Sequence, residues 1–85
     1  MNHFVYMLKT KDNKICKTYV GYTINLKKRL LSHNINKGAK YTKGRKWKII
    51  YKKKFLNKVD AMKYEYFLKK NRTLRNKIKS YKFND

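Results

Sequence analysis

The chain has 85 residues, enough for one compact domain with a modest core and too few for two. Its 25 lysines and arginines against four acidic residues give a formal charge of +21, a surplus that repels itself unless a polyanion offsets it. An apolar content of 41% excludes a disordered basic tail, and a single cysteine, Cys16, excludes an internal disulfide or a multi-cysteine zinc site.

Nucleic acid is the expected partner, because neutralising phosphates releases condensed counterions and so drives binding at low salt. That charge does not by itself separate an enzyme from a binder. Cys16 reads as a small strand or turn residue without reactivity. Met1 to Leu8 is too short and interrupted for a signal peptide, and no apolar run approaches membrane-spanning length. The helical segments carry charge on more than one face, unlike a membrane-surface helix. The expectation is a soluble, intracellular protein with no membrane partner.

In chain order, Phe4 to Leu8 reads as a first strand and Thr18 to Tyr22 as a second, with the polar Lys11-Asp12-Asn13-Lys14 carrying a hairpin-type turn between antiparallel strands. Thr23 or Asn25 caps a helix running to about Asn36, with Leu26 and Leu30 as its buried stripe and Arg29 and His33 flanking it. Gly38 ends that pattern. Lys37 to Lys46, rich in Gly, Lys and Arg, reads as an exposed loop, and Trp47 to Lys52 as a third strand with imperfect alternation. Asn57 with Asp60 marks a helix start continuing to about Lys70, and Leu74, Ile78 and Tyr81 give one face to a last helix from Thr73 to about Tyr81. No repeat or linker divides the chain.

Several residues along this path carry possible chemistry, each with a plainer reading beside it. Glu65, the only glutamate, follows Ala61 and Met62 and precedes Leu68 at helical spacing, so its carboxylate projects from a largely apolar stripe. It either pairs with Lys69 at i+4 or ligates a hard cation such as Mg²⁺, which needs only one or two carboxylates. The four acids show no grouping of the kind a two-metal nuclease uses. Arg29 and His33 sit one turn apart and can face one phosphate, Arg29 through its planar fork of donors; otherwise Arg29 is one more solvated cation and His33 a hydrogen-bonded residue at the core edge. Tyr6 and Tyr19 read as strand aromatics or as phenols at a phosphate or an attacking water, the latter demanding nearby positive charge. The loop from Gly38 to Trp47 interleaves cations with aromatics, as suits gripping phosphates while stacking on an exposed base. Trp47, at the head of an apolar strand, reads as core, and nothing in the loop matches a nucleotide-binding P-loop.

Taken together, Val5-Tyr6-Met7, Tyr19-Val20-Gly21, Arg29, His33-Asn34, Gly38-Ala39-Lys40-Tyr41-Thr42 and Glu65 resemble, in order and spacing, the GIY-YIG endonuclease family. The similarity extends from Phe4 to about Lys70 and is closest to small stand-alone domains and to the catalytic half of junction-resolving nucleases. It implies an α+β fold, a small three-stranded mixed sheet flanked by helices. The domain would span 1–85, with a core of about 4–70 and a C-terminal helix of about 73–82. The resemblance further implies Tyr19 as general base or water-positioning group with Tyr6 beside it, Arg29 on the scissile phosphate, His33 supporting that phosphate, and Glu65 holding one Mg²⁺ or Mn²⁺. Lys40, Tyr41 and Arg45 would contact the nucleic acid.

The chain departs from the family pattern in three ways. Val5 and Met7 replace the usual flanks of the first tyrosine, Tyr22 and Thr23 stand where some relatives have a lysine, and the cysteine-rich zinc module of junction-resolving relatives has no counterpart. The function expected is a metal-dependent DNA endonuclease acting on branched or otherwise structured DNA, as in repair or recombination, with a possible protein partner supplying specificity. The rival reading is a non-catalytic nucleic-acid-binding module, and an RNA nuclease is a third.

Overall fold

A computed structural model describes residues 1–11, 14 and 16–80. Three strands, β1 (His3–Thr10), β2 (Thr18–Thr23) and β3 (Trp47–Phe55), form one sheet, and three helices follow as α1 (Leu26–Asn34), α2 (Lys58–Lys70) and α3 (Arg72–Ser80). A single 3₁₀ turn, Lys40–Thr42, interrupts the segment before β3. No helix among the described residues is long and apolar enough to cross a membrane.

The strand order is β2-β1-β3, and β1 pairs antiparallel with both neighbours. The fold is therefore α+β as expected, but the sheet is antiparallel throughout rather than mixed. As the central strand, β1 is covered on both faces, which explains its unbroken run of buried residues from Val5 to Leu8. Val5 and Met7 enter one core with Val20, Ile50, Ala61, Leu68 and Ile78, beneath α2 and α3. Tyr6 and Leu8 enter a second with Trp47, closed by Leu26 and Leu30 of α1.

The imperfect alternation of β3 has a structural cause. Met7 faces Tyr51 while Leu8 faces Ile49, so Ile50 is the extra residue of a bulge. That bulge lets Ile49 join the Trp47 core while Ile50 and Tyr51 both join the other one. β3 also continues to Phe55, three residues past the expected end at Lys52.

Side-chain caps set the helix starts. Asn25 accepts the amide of Lys28 at 3.1 Å, Asn57 that of Asp60 at 2.9 Å, and Asn71, between α2 and α3, that of Leu74 at 3.0 Å. α1 stops at Asn34, two residues early, because Asn36 takes up a positive φ of 66°. The Lys37–Lys46 segment is not the wholly exposed loop its composition suggests, since Thr42 within it is fully buried. The expected Lys11–Lys14 turn includes Asp12 and Asn13, and the last helix was expected to reach Tyr81; those positions lie outside the described residues.

Candidate active site

The register of β1 on β2 sets Tyr6 opposite Gly21 and Leu8 opposite Tyr19, and cross-strand partners share a face. Both tyrosines therefore lie on the α1 side of the sheet, their ring centroids 6.4 Å apart. A Cβ at Gly21 would collide with the Tyr6 hydroxyl and ring. The glycine of the second motif is thus what allows the tyrosine of the first to lie across β2, a dependence between the two segments that neither shows alone.

From α1, Arg29 and His33 reach the same phenol one helical turn apart. Arg29 Nε donates to the Tyr6 hydroxyl at 3.3 Å, and His33 Nε2 lies 2.9 Å from it. Counting protons fixes the direction of the remaining bonds. Thr42 Oγ1 donates its one proton to the Ala39 carbonyl at 2.8 Å, so at 2.8 Å it can only accept from His33 Nδ1. With Nδ1 protonated, a neutral imidazole accepts at Nε2, and the Tyr6 hydroxyl is its donor. The chain runs Arg29 to Tyr6 to His33 to Thr42 to the Ala39 carbonyl.

The electrostatics agree with that proton count. Burial, opposed by Arg29, pushes the Tyr6 phenol up to about 12, so it stays protonated. Burial, aided by the positive charge of Arg29, lowers His33 below its ordinary value and keeps it neutral. The bond to Tyr6 outweighs desolvation and raises Arg29, with further contributions from the Tyr19 hydroxyl. Tyr6 is therefore a hydrogen-bonding group and not a base. His33 has no exposed surface, and its Nε2 reaches outward only as far as the Tyr6 hydroxyl.

The loop after α1 builds the back wall of this chain. Gly38 presses on the imidazole so closely that a Cβ there would overlap Nδ1 of His33. Trp47 donates Nε1 to the Thr42 carbonyl at 3.0 Å, and Asn34 grips the Trp47 backbone by accepting its N–H at 2.6 Å and donating to its carbonyl at 3.1 Å. Sequence reasoning placed Asn34, Gly38 and Thr42 in the family-like set, and Gly38 at the end of a helix, without giving any of them a contact with His33 or Trp47. The available signal was a small hydroxyl residue and a glycine following a histidine, hidden in a segment whose composition reads as solvent-exposed.

Glu65 stands on α2 with its side chain 20% exposed, held by Lys69 at 3.7 Å, the i+4 pair that spacing allowed. Its field reaches Tyr6, where it opposes ionisation. Among the described residues no three His, Cys, Asp or Glu side chains gather as a metal cluster, and Asp60 is engaged by Asn57 Nδ2 at 3.0 Å. A lone carboxylate suits a hard cation that draws its other ligands from water and phosphate, and does not suit an all-protein cage. Of the three loop residues expected to contact nucleic acid, Tyr41 is brought to the site, stacked on Tyr19 with centroids 6.1 Å apart. Lys40 is exposed at the start of the 3₁₀ turn, and Arg45 is partly buried beyond it.

A small antiparallel sheet, two motif tyrosines on one face, an arginine and histidine on the next helix and a distant glutamate define a class of nuclease catalytic domain. The chain belongs to the GIY-YIG family, whose catalytic domain matches residues 2–79. Similar proteins include a UPF0213 protein of Oceanobacillus iheyensis, 48% identical over 79% of this chain and 76% of its own length. The UPF0213 protein YazA of Bacillus subtilis is 49% identical over 81% of this chain and 68% of its own. A UPF0213 protein of Bacillus halodurans, solved by NMR, is 38% identical with a TM-score of 0.54, covering 92% of this chain and 82% of that one.

Proposed function

We propose that this chain is a Mg²⁺- or Mn²⁺-dependent DNA endonuclease that hydrolyses a phosphodiester by attack of water at phosphorus. The observation that carries the reading is the convergence of Arg29 with the two motif tyrosines. Nε of Arg29 is spent on Tyr6, and even with Tyr19 engaged the guanidinium keeps N–H donors for the non-bridging oxygens of a phosphate. Those oxygens gain charge in the transition state, where donors already fixed in place cost no reorganisation.

Each residue then has one task. Tyr19, partly buried beside Arg29, aligns the attacking water and is the group of the two tyrosines suited to take its proton, since Tyr6 is held neutral. Tyr6 and His33 hold Arg29 in position. Glu65 would hold one divalent ion, which would supply screening of the phosphate charge and stabilisation of the leaving oxygen. Lys40, Tyr41 and Arg45 grip the flanking strand. Specificity then comes from DNA shape or from a protein partner, and branched or nicked DNA, as met in repair and recombination, is the substrate to try first.

The test is cleavage of supercoiled plasmid and of a labelled four-way junction with Mg²⁺ or Mn²⁺, against EDTA and Glu65→Gln. Metal-dependent cutting that disappears in the variant supports the reading; failure to cut any substrate sinks it. The Lys69–Glu65 ion pair favours a second reading, a basic binding module in which Glu65 is structural. That reading predicts tight, salt-sensitive binding identical in both proteins and no cleavage, while competition with RNA decides which nucleic acid is preferred.

A further inference from the structure

Beside the edge strand β2 lies a groove of about 320 Å³, lined by Thr18, Tyr19, Val20, Tyr41, Lys69 and Arg75. Its walls come from three places far apart in sequence: β2, the Lys40–Thr42 turn and the region where α2 meets α3. The volume falls at the small end of ligand sites, about 300 to 1,000 Å³. It suits one compact ligand rather than a peptide or a duplex.

One wall is aromatic and braced. Tyr41 is 48% exposed, yet its ring lies on Tyr19 with planes 23° apart and meets Trp47 at 6.2 Å. The Lys17 ammonium stands 5.9 Å from the centre of the same ring. The facing wall is cationic. Arg75 is anchored by Nη1 to the Leu68 carbonyl at 2.9 Å and to the Lys69 carbonyl, so its charge is fixed at the end of α2. Lys69 pairs with Glu65 at 3.7 Å in the free protein.

A braced aromatic ring facing fixed cations complements a flat, uncharged ring joined to an anion, which is the chemistry of a nucleotide. Inside a duplex each base is stacked on both faces and offers none to a side chain. We infer that the β2 groove is a subsite for one unpaired nucleotide next to the cleaved bond, its base stacked on Tyr41 and its phosphate at Lys69 and Arg75. Lys17 moves from the ring to the neighbouring phosphate as the base arrives. Lys69, offered a phosphate, releases the carboxylate of Glu65. The inference deepens the nuclease reading and rests on it for the position of the cleaved bond, and it narrows the substrate to strands unpaired at the site, such as flaps, frayed ends and single strands.

Binding is measured by anisotropy in EDTA, so that no cleavage intervenes, with labelled oligodeoxyuridylate, oligouridylate and a duplex of equal length. Wild-type protein should bind the better of the two single strands about tenfold or more tighter than the duplex, a ratio set by one stacked base. Which of the two binds better identifies the strand as DNA or RNA. Tyr41→Ala should abolish that advantage and Tyr41→Phe should keep it. Duplex binding as tight as both single strands, or a Tyr41→Ala loss equal on single strand and duplex, overturns the inference. Photocrosslinking of 5-iodouracil oligonucleotide to the unaltered protein is the second measurement: adducts at Tyr41 are expected, and adducts confined to other residues overturn it. The nuclease reading fails separately, through absent metal-dependent cleavage with the strand preference intact.

Discussion

Tyr6 is almost fully buried, at 1% exposure, and its hydroxyl is the junction through which Arg29 and His33 communicate. Tyr6→Phe keeps the ring in its space against Gly21 but strands the acceptor Nε2 of His33 and one donor of Arg29. The expected cost is about 1–3 kcal/mol of stability, read from urea unfolding, with cleavage reduced further than binding. Gly21→Ala is the complementary change, since its methyl would occupy the hydroxyl's position. Overpacking of this kind costs about 1–3 kcal/mol, and the variant should lose cleavage with Tyr6 displaced. The same cluster shapes the pH dependence of stability. His33 has a lowered pKa in the fold, so below about 6.5 the unfolded chain takes up a proton that the folded chain refuses, and stability falls as pH drops. Tyr6 is raised from about 10 to about 12, so between those values the unfolded chain loses a proton that the folded chain keeps, and stability falls as pH rises. Unfolding midpoints across pH should therefore show a plateau between about 6.5 and 10. His33→Gln should flatten its acid side and Tyr6→Phe part of its alkaline side; an unchanged profile in both variants would remove this cluster as the cause.

At the scale of elements, α1 and the segment after it act as one clamp on His33, with Gly38 against the ring and Thr42 on Nδ1. Thr42→Val should leave a buried N–H without its acceptor, costing about 1–3 kcal/mol, while Thr42→Ser retains the oxygen and most of the stability and cleavage. A loss in Thr42→Ser with Thr42→Val unaffected would mean that Thr42 matters for its methyl packing rather than its hydroxyl. This clamp also marks where the sequence stopped being legible. Asn57 announced α2, and Thr23 or Asn25 the start of α1, because caps act locally, and the apolar run of β1 announced a strand because burial on two faces leaves it no polar side. The bulge at Ile50 could be seen only as broken alternation, since which residue is extra depends on the partner strand. The packing of Thr42 and Gly38 on His33 was illegible for a stronger reason. Their segment is rich in lysine and glycine, and their contact is with His33 nine and five residues earlier, which composition does not encode. Tyr6, Tyr19, Arg29 and His33 were recognisable as a set, but that Tyr6 would be the protonated centre and His33 its enclosed support follows only from how β1, β2 and α1 meet.

For the molecule as a whole, a charge of +21 on 85 residues makes nucleic-acid affinity the default and discrimination the harder task. Each phosphate neutralised should contribute a slope of about −0.9 to the plot of log affinity against log salt on duplex DNA, so a contact area of six to ten phosphates would lose about a thousandfold or more between low and moderate salt. Within that background, the proposed metal ligand Glu65 is the residue that tests catalysis against adhesion. Glu65 lies 20% exposed against Lys69, and replacing it by glutamine removes one negative charge from a surface already dominated by cations. Glu65→Gln should therefore bind branched DNA as tightly as the wild type, or slightly more tightly, with the same salt slope, while metal-dependent cleavage is lost. Binding measured without divalent ions and cleavage measured with them, on one substrate and at one salt, separate the two effects. A variant that still cuts would show that the carboxylate is only the partner of Lys69, and the chemistry would then have to be assigned to Arg29 and Tyr19 without it.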